Sequence, residues 1–528
     1  MSSYEPFGDA DASAANAFER SEFIEFTRRR FRLGLGMSAT DGDARVIVGA
    51  KGAGKTIYLR RLQQGLSRKS GVYVDTWHNR PPATDNVLEV WSLSTSVDDC
   101  RRRWSLIWRR AILRSVASHL IKAKSLGAPE SVRDMLRHDF PELLPKFEAR
   151  SSAISQVDAI ITTHGGVHAL DKFLRHNRWE ALEEVISEAL DDTRPVYLIL
   201  DGLDEEFEAA PSQWLDCQEG LLRQVLALRA GDGFRRRLHV IVGIRDLVYA
   251  TFIQSENAQR FRRSPAIRHL RWDRDAVSHF LHAKISALDA EEWLLDPSSE
   301  DPVARWLGLP EVWNVPRDCR ENIERYLLRH TRCLPRDIIQ IGNALCDQIA
   351  ADHDRCLNAE IIRRTVAGVS REFADEQLWV VANHITAALM PREAPRHGFV
   401  EAYVNNDSHA NNARGARNDV GRSYQTAVID MLRAGLRDLG EDRVEADALE
   451  RFAEGLPLLE GVDLLSILWQ HKLIGYIDGS DRLYGPVVFC GMNGDDLSLP
   501  RDKAAYALHP ILIDSVEGLR GVGDAVEM

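Results

Sequence analysis

The segment Gly49–Thr56 constrains the fold of this chain more than any other part of the sequence, because it reads Gly-Ala-Lys-Gly-Ala-Gly-Lys-Thr. It follows the β-branched run Ala44–Val48, and apolar residues at helical spacing come after it. A strand that enters a glycine-rich turn and continues as a helix directs backbone N–H groups and the positive helix end at one point. The segment therefore predicts an anion-binding loop, the alternative being a glycine-rich turn without a ligand.

The chemistry of this loop predicts ATP and Mg²⁺ as its ligands. The pattern requires a lysine that reaches the β- and γ-phosphates, here Lys55, and a hydroxyl that binds Mg²⁺, here Thr56. The glycines allow the backbone angles that turn successive N–H groups inward. The residues predicted to bind the nucleotide are Gly49, Ala50, Lys51, Gly52, Ala53, Gly54, Lys55 and Thr56.

A carboxylate for the Mg²⁺ shell is predicted at Asp201. The apolar run Val196–Leu200 is typical of a buried parallel strand, and it delivers Asp201 to the carboxyl edge of the sheet, where open α/β sheets bind ligands. Hydrolysis also needs a group that positions the attacking water. We predict that Asp204 or Glu205 activates this water, with Asp204 preferred. In the alternative, both acids only cap the next helix.

Residues 198–206, Leu-Ile-Leu-Asp-Gly-Leu-Asp-Glu-Glu, resemble the extended Walker B motif of the STAND and KAP branches of the AAA+-related P-loop ATPases. The resemblance covers roughly residues 44–350 and implies an ATPase that acts as a regulated switch. It also implies that Arg245, at the end of the run Val240–Arg245, senses the γ-phosphate. Gly243 stands where these proteins usually have threonine, and the alternative for Arg245 is a surface salt bridge.

A lid over the nucleotide is implied by Thr331–Asp337, a segment with Pro335 that is similar to the proline-containing lid motif of these ATPases. In that resemblance Arg336 pairs with phosphate, as a guanidinium can. His269–Trp272 is similar to the last core strand and the start of the lid. Proline is also common in the first turn of any helix, so in the alternative Pro335 and Asp337 only begin a helix.

The order of strand-like and helical patterns predicts an α/β fold. Strand-like runs at 44–48, 71–76, 196–200, 239–242 and 266–270 alternate with helical patterns, which is typical of a parallel sheet. We predict a P-loop NTPase core with a parallel sheet and a helical insertion, followed by a helical lid and a C-terminal winged-helix-like domain. The predicted parts are an N-terminal segment (1–43), the core (44–288, with the insertion at about 85–190), an entirely helical lid (289–390), a linker or long loop (391–422) and the winged-helix-like domain (423–528).

Three helical patterns followed by a hairpin-like pair indicate the winged-helix-like domain. The helices are predicted near 424–438, 446–455 and 461–472, and the strands over 475–478 and 483–489. The third helix carries little positive charge beyond His471 and Lys472, whereas duplex binding draws on several phosphate contacts. The pattern therefore favours a domain that docks to protein over one that reads DNA.

Composition predicts a cytoplasmic protein without a membrane span. The 528 residues are 44% hydrophobic and 28% charged, as in folded proteins of two or three domains. A formal net charge of −12 gives the surface as a whole no attraction for polyanions. The seven cysteines have no metal-binding spacing, which is typical of reduced thiols. No apolar run approaches the ~20 residues that a membrane helix needs.

The stretch 101–110, Arg-Arg-Arg-Trp-Ser-Leu-Ile-Trp-Arg-Arg, raises the question of a nucleic-acid partner. Arginine can contact a phosphate backbone while an aromatic ring stacks on bases. On a helix, however, Trp104, Ile107 and Trp108 share one face and the arginines lie on the other, as in an ordinary amphipathic helix. The helical pattern favours the second interpretation.

We predict a switch in which ATP binding and hydrolysis control the lid and the C-terminal domain and thereby a partner effector protein. Bacterial ATPases of this build are often found in anti-phage defence, an association of fold with context. A homo-oligomer is predicted in which Arg260, Arg262 or Arg263 acts across a subunit boundary. The alternatives are a DNA-transaction ATPase of the origin-recognition type and a P-loop kinase that phosphorylates a small molecule.

Overall fold

The fold was analysed in a computed structural model of the chain. It describes residues 5–10, 44–69, 71–75, 78–144, 152–203, 211–230, 234, 237–254, 261, 264–314, 319–351, 357–389, 413–456, 459, 462–478, 487–490 and 499–516.

A parallel β-sheet forms the centre of the N-terminal half and confirms the predicted α/β fold. Its strands are β1 (Val46–Gly49), β2 (Tyr73–Val74), β3 (His78–Asn79), β4 (Val196–Asp201), β5 (Leu238–Arg245) and β6 (Ile267–His269). They lie in the order β2-β4-β5-β1-β6, and β3 also pairs with β4. All the pairings are parallel. The strands β2 to β5, which follow β1 in the chain, therefore lie on one side of it, and β6 lies on the other. This reversal of the strand order opens a crevice at the carboxyl end of β1.

Alternating side chains divide the sheet between two hydrophobic cores. Ile47, Ile199 and Ile241 pack with the buried leucines of helix α1 (Lys55–Ser67) on one face. Val46 and Val48, together with the alternate residues of β4 and β5, belong to a larger core on the opposite face. Because both faces are covered, β1 and the Val196–Leu200 part of β4 are apolar throughout, which is why the sequence shows them as continuous runs.

The predicted insertion is helical and covers the larger core. Its helices are α2 (Thr84–Leu93), α3 (Val97–Lys122), α4 (Glu130–Asp139), α5 (Ala153–Thr163), α6 (Val167–Leu174) and α7 (Arg178–Asp191). Ser96 caps the N-terminus of α3 by accepting a hydrogen bond from the Asp99 backbone N–H, 3.1 Å away. After β4 follow α8 (Pro211–Ala230), α9 (Asp246–Gln254) and α10 (Arg274–Ser286), of which α8 packs along α3.

The arginine- and tryptophan-rich stretch lies inside α3, and both of its tryptophans are fully buried. The Trp108 indole N–H donates to the Cys217 carbonyl of α8 at 2.9 Å. Four of the five arginines in the stretch pair with acids of neighbouring helices, and the fifth, Arg102, pairs with Asp99 of α3 itself. The four pairings are Arg101 with Asp216 and Glu219, Arg103 with Asp171, and Arg109 and Arg110 with Glu183. These side chains therefore hold the insertion together.

The region predicted to form a lid (289–390), called the lid from here on, contains a β-hairpin that was not predicted. Its helices are α11 (Ala290–Trp293), α12 (Pro302–Leu307), α13 (Ile323–Arg329), α14 (Pro335–Ala351) and α15 (Ala359–Leu389). Between α12 and α13, β7 (Glu311–Asn314) pairs antiparallel with β8 (Cys319–Asn322). The prediction of an entirely helical region was therefore wrong here, because strands this short carry too few residues to show a period of two.

In its described residues, the C-terminal region combines four helices with a four-stranded antiparallel sheet. Helix α16 (Ala413–Leu439) begins before the predicted domain, so residues 413–422 are helical and the predicted linker was wrong for them. The other elements are β9 (Arg443–Glu445), α17 (Ala446–Glu454), α18 (Leu464–Gln470), β10 (Ile474–Ile477), β11 (Val487–Phe489), β12 (Ala505–Leu508) and α19 (Pro510–Ser515). The β10–β11 hairpin matches the prediction, while β9 and β12 were not predicted.

The N-terminal residue Phe7 is buried against the lid. Its ring lies 4.8 Å from that of Trp306, and a Cβ atom at Gly342 of α14 would come within 2.3 Å of it, so only glycine leaves room. The Asn343 amide accepts from the Phe7 backbone N–H and donates to the Gly8 carbonyl, both at 2.8 Å. Phe7 belongs to a hydrophobic core that the lid and the C-terminal region share.

None of the helices in the described parts of the chain combines the length and the apolar character needed to cross a bilayer.

The crossing of α3 and α8 generates a prediction about stability. A Cβ atom at Gly220 would lie 2.5 Å from the Trp104 Cβ and 2.9 Å from the Ser105 backbone N. We expect Gly220→Ala to force the helices apart and to cost about 1–3 kcal/mol, measured as a lower urea midpoint of tryptophan fluorescence. Gly65→Ala in α1 is the matched control, since nothing lies within 4 Å of its Cβ position. Equal midpoints for both variants would contradict the tight crossing.

Candidate functional site

The loop between β1 and α1 contains two glycines in the left-handed backbone conformation. Gly52 and Gly54 adopt positive φ angles of 87° and 91°, in the left-handed region that disfavours side chains. Gly54 is the N-cap residue of α1, so the loop leads directly into the positive end of a 13-residue helix. The glycines at these two positions are therefore needed for the shape of the loop.

The Lys55 side chain folds back over the start of the loop. Its Nζ donates to the carbonyl oxygens of Gly49 at 2.9 Å and Ala50 at 3.1 Å. The ammonium thereby lies across the end of β1, at the carboxyl edge of the sheet. Thr56 follows it in the first turn of α1. The loop thus carries a lysine and a hydroxyl at the same end of the helix.

Residues that follow β6 hold the loop from one side. The Trp272 indole N–H donates to the Ala53 carbonyl at 3.0 Å, and Ala53 itself is buried. A Cβ atom at Gly49 would lie 3.2 Å from the Ala53 Cβ and 3.3 Å from the Leu270 Cβ, which is tighter than ordinary contact. The loop is therefore packed closely between β1 and the chain that leaves β6.

Asp201 lies at the carboxyl end of β4 with 3% of its surface exposed. A Cβ atom at Gly243 of β5 would lie 2.7 Å from Asp201 Oδ1 and 3.0 Å from Leu59 Cδ1 of α1. The missing side chain at Gly243 is thus what gives the Asp201 carboxylate its place between β5 and α1. This accounts physically for the glycine that stands where the resemblance expects threonine.

Arg245 and Arg336 approach the loop from two directions. Arg245 ends β5 and is the register partner of Gly49, the first residue of the loop. Arg336, in the first turn of α14, places its Cβ 3.0 Å from the Cβ position of Gly52. The structure therefore brings the loop, Asp201, Arg245 and Arg336 to one edge of the sheet. Asp204, Glu205, Arg260, Arg262 and Arg263 lie outside the described residues.

A buried ion pair that the sequence analysis missed positions the start of α14. Asp337 is fully buried, and its carboxylate accepts from the Arg332 backbone N–H at 2.8 Å and from the Arg332 guanidinium at 2.7 and 3.1 Å. Arg332 also donates to Gln377 of α15 at 2.8 Å. Pro335 and Asp337 do begin a helix, and the pair in addition fixes the loop that carries Arg336.

Lys51 makes the closest contact between the loop and the lid. Its Nζ lies 2.6 Å from the Glu376 carboxylate of α15. Glu376 also lies 3.7 Å from Arg332 and 3.9 Å from Arg336. Nothing in the sequence marks Glu376, because α15 reads as an ordinary helix far from the loop in the chain.

A cavity of about 120 Å³ opens beside the loop and is bounded by three parts of the chain. Ala50, His269 and Trp272 belong to the core, and Arg332 belongs to the lid. The C-terminal region contributes the turn after α18, the end of β11 and the residue before α19: Gln470, His471, Lys472, Phe489, Cys490 and His509.

The histidines around this cavity are neutral at neutral pH. Burial and the charge of Arg271 lower the pKa of His269 to about 4, and burial and Arg245 lower the pKa of His471 to about 4. Burial, assisted by Arg332, lowers the pKa of His509 to about 3. Arginine and lysine side chains therefore supply the positive charge near the loop.

No model of a known protein family matches this chain, and no curated protein matches it. Within the described residues, no group of three or more His, Cys, Asp or Glu side chains is arranged to hold a metal ion.

The Arg332–Asp337 pair generates a prediction about the lid. Removing one partner of a buried ion pair leaves the other buried charge without its compensation, so we expect Asp337→Ala to cost about 3 kcal/mol. Asp347→Ala, an exposed acid on the same helix, is the control and should stay within about 0.5 kcal/mol. The comparison is made by the midpoint of thermal unfolding. If both variants unfold at the wild-type midpoint, the pair does not stabilise the lid.

Proposed function

We propose that the chain is a Mg²⁺-dependent regulatory switch that binds and hydrolyses ATP. The observation that carries this proposal is the loop after β1. Two of its glycines have left-handed angles, it ends at a helix N-terminus, and Lys55 lies across it. A buried acid, Asp201, ends a strand of the same sheet. These are the elements that hold the phosphates and the metal of a nucleoside triphosphate.

In this proposal the backbone N–H groups of Gly49–Thr56 bind the phosphates and Lys55 neutralises the β- and γ-oxygens. Thr56 and Asp201 would hold Mg²⁺, which would offset the negative charge of the phosphates. The cavity beside Ala50 offers a place for the nucleoside, next to His269 and Trp272. Arg245 and Arg336 would contact the terminal phosphate, since guanidinium groups pair with phosphate oxygens.

The hydrolytic step is proposed for the two acids that follow β4 in the chain. Asp204 or Glu205 would accept a proton from the attacking water or orient it, and Asp204 is our first choice. Both follow Asp201 within a few residues of the sequence, and Asp201 itself lies at the carboxyl edge of the sheet, where open α/β sheets bind ligands.

The regulatory part of the proposal is supported by contacts of the lid and the C-terminal region with the loop. Arg336 lies over Gly52, Glu376 pairs with Lys51, and His471 borders the cavity. A nucleotide bound here would touch all three parts of the chain, and its hydrolysis would change those contacts. The output would act on a partner effector protein, in a homo-oligomer and in the setting of anti-phage defence.

A DNA-transaction ATPase is the weaker proposal. The arginines and tryptophans of α3, which could grip nucleic acid if they were exposed, are buried or paired with acids. We therefore propose protein rather than DNA as the principal macromolecular partner, and the proposed winged-helix-like domain as the region that docks to it.

The first prediction from this function concerns Lys55. Lys55→Ala removes the ammonium that lies over the loop, so we expect Mg-ATP binding to be lost while the circular dichroism spectrum is unchanged. Binding is measured by isothermal titration calorimetry. Lys69→Ala, an exposed lysine just beyond α1, is the matched control and should bind as wild type does. Unchanged ATP affinity in Lys55→Ala would overturn the assignment of the loop.

The second prediction separates binding from hydrolysis. Asp201→Ala should weaken binding only when Mg²⁺ is present, because it removes a metal ligand and leaves the loop intact. Asp204→Ala should retain Mg-ATP but hydrolyse it more slowly, by roughly a hundredfold or more if the carboxylate positions water. Calorimetry with Mg²⁺ or EDTA and a phosphate-release assay measure the two effects. A slow enzyme from Glu205→Ala, with Asp204→Ala near wild type, would move the role to Glu205.

A further inference from the structure

Three cations around the loop converge on the single carboxylate of Glu376. Lys51 belongs to the loop itself and lies 2.6 Å away. Arg336, which stands over Gly52, lies 3.9 Å away, and Arg332 lies 3.7 Å away. Burial would raise the pKa of the Glu376 carboxyl, but the hydrogen bond from Lys51 and the three positive charges hold it below its usual value. Glu376 is therefore an anion at neutral pH, held at the mouth of the loop.

The position of this carboxylate coincides with a pocket between the loop and α15. Ala50, Lys51, Arg245 and Lys472 line that pocket together with Glu376. A phosphate group that entered it would find cations on several sides. Two acids among the described residues line the pocket, Asp246 and Glu376, and Glu376 is the one that lies against Lys51.

Helix α15 links this carboxylate to the rest of the molecule. Next to Glu376, Gln377 accepts from Arg332 and contacts the His471 ring at 3.1 Å, and His384 contacts the other nitrogen of that ring at 3.1 Å. The helix also packs against α8 of the core, α14 of the lid, and α16, α18 and α19 of the C-terminal region. A shift of α15 at Glu376 would therefore change the contact between the lid and the C-terminal region.

We propose that Glu376 is an internal competitor of the nucleotide: its carboxylate occupies Lys51 and Arg336 until a nucleotide phosphate displaces it and releases α15. This inference rests on the function proposed above. The contact is suited to such an exchange because it is partly solvated, with 41% of the Lys51 side chain and 30% of the Glu376 side chain exposed. An ion pair of that kind contributes little free energy and can be replaced by a stronger anion.

The test compares ATP affinity among variants of α15 in the full chain, by calorimetry with Mg-ATP. Glu376→Gln keeps the shape and removes the competing charge, so we expect affinity to rise about fivefold. Glu376→Asp keeps the charge but shortens the reach to Lys51, so its affinity should rise in the same direction. Glu372→Gln removes an exposed carboxylate on the same helix and should leave affinity within about twofold.

A double-mutant cycle assigns the effect to the contact. In a Lys51→Ala background, Glu376→Gln should give a smaller gain than in the wild type, because the shortest contact of Glu376 is already lost. In the wild type, ATP should increase hydrogen exchange of the backbone around residues 370–380, whereas in Glu376→Gln that exchange should be high without ATP.

Two results would overturn the inference and leave the proposed function standing. One is wild-type ATP affinity in Glu376→Gln. The other is a gain in Glu376→Gln with none in Glu376→Asp, which indicates a general charge effect instead of a displaced contact. If the wild-type chain binds no ATP, and Lys55→Ala behaves identically, then the proposed function itself is wrong and the inference falls with it.

Discussion

The buried pair of Arg332 and Asp337 determines how the lid meets the core. Asp337 is held inside the first turn of α14 and accepts from both the backbone and the guanidinium of Arg332. This arrangement fixes the short segment between α13 and α14, in which Cys333 adopts a positive φ of 54°. Because Arg336 directly precedes Asp337, the same pair sets the position of Arg336 over Gly52. Through Gln377, it also reaches α15 and His471.

The parts of the fold that could be predicted are those whose signal is local. Glycines at 52 and 54, a strand before them and a helix after them all lie within one short segment, and the structure has each of them. The position of Asp201 at the carboxyl edge of the sheet was predicted because a fully apolar strand ends at this residue. The strands β7 and β8 escaped prediction because each has four residues, too few for a period to emerge. The helical start of α16 escaped prediction because Gly415, Asn418 and Gly421 suggest a loop.

The rest of the candidate site could not be predicted, because it depends on contacts between distant parts of the chain. Glu376 resembles any acid on an amphipathic helix, and only the fold shows that it faces Lys51. In the sequence, His471 stands out only as one of the few positive residues of the predicted helix 461–472, and the fold places it at the wall of a cavity beside Ala50. The arginines of α3 illustrate the opposite case. Their charge suggests an exposed patch in the sequence, yet their partners Asp171, Asp216 and Glu183 come from other helices.

The docking of Phe7 has a consequence for the order in which the molecule can form during synthesis. Phe7 and its hydrogen-bond partner Asn343 are separated by 336 positions in the sequence. At a ribosomal rate of about 5–20 residues per second, Phe7 waits roughly 20–70 s before Asn343 has been made. The sheet and the insertion are complete in sequence well before that moment. Phe7 thus reaches its place only after the sheet and the insertion have been synthesised, and it completes the lid core once α14 has been made.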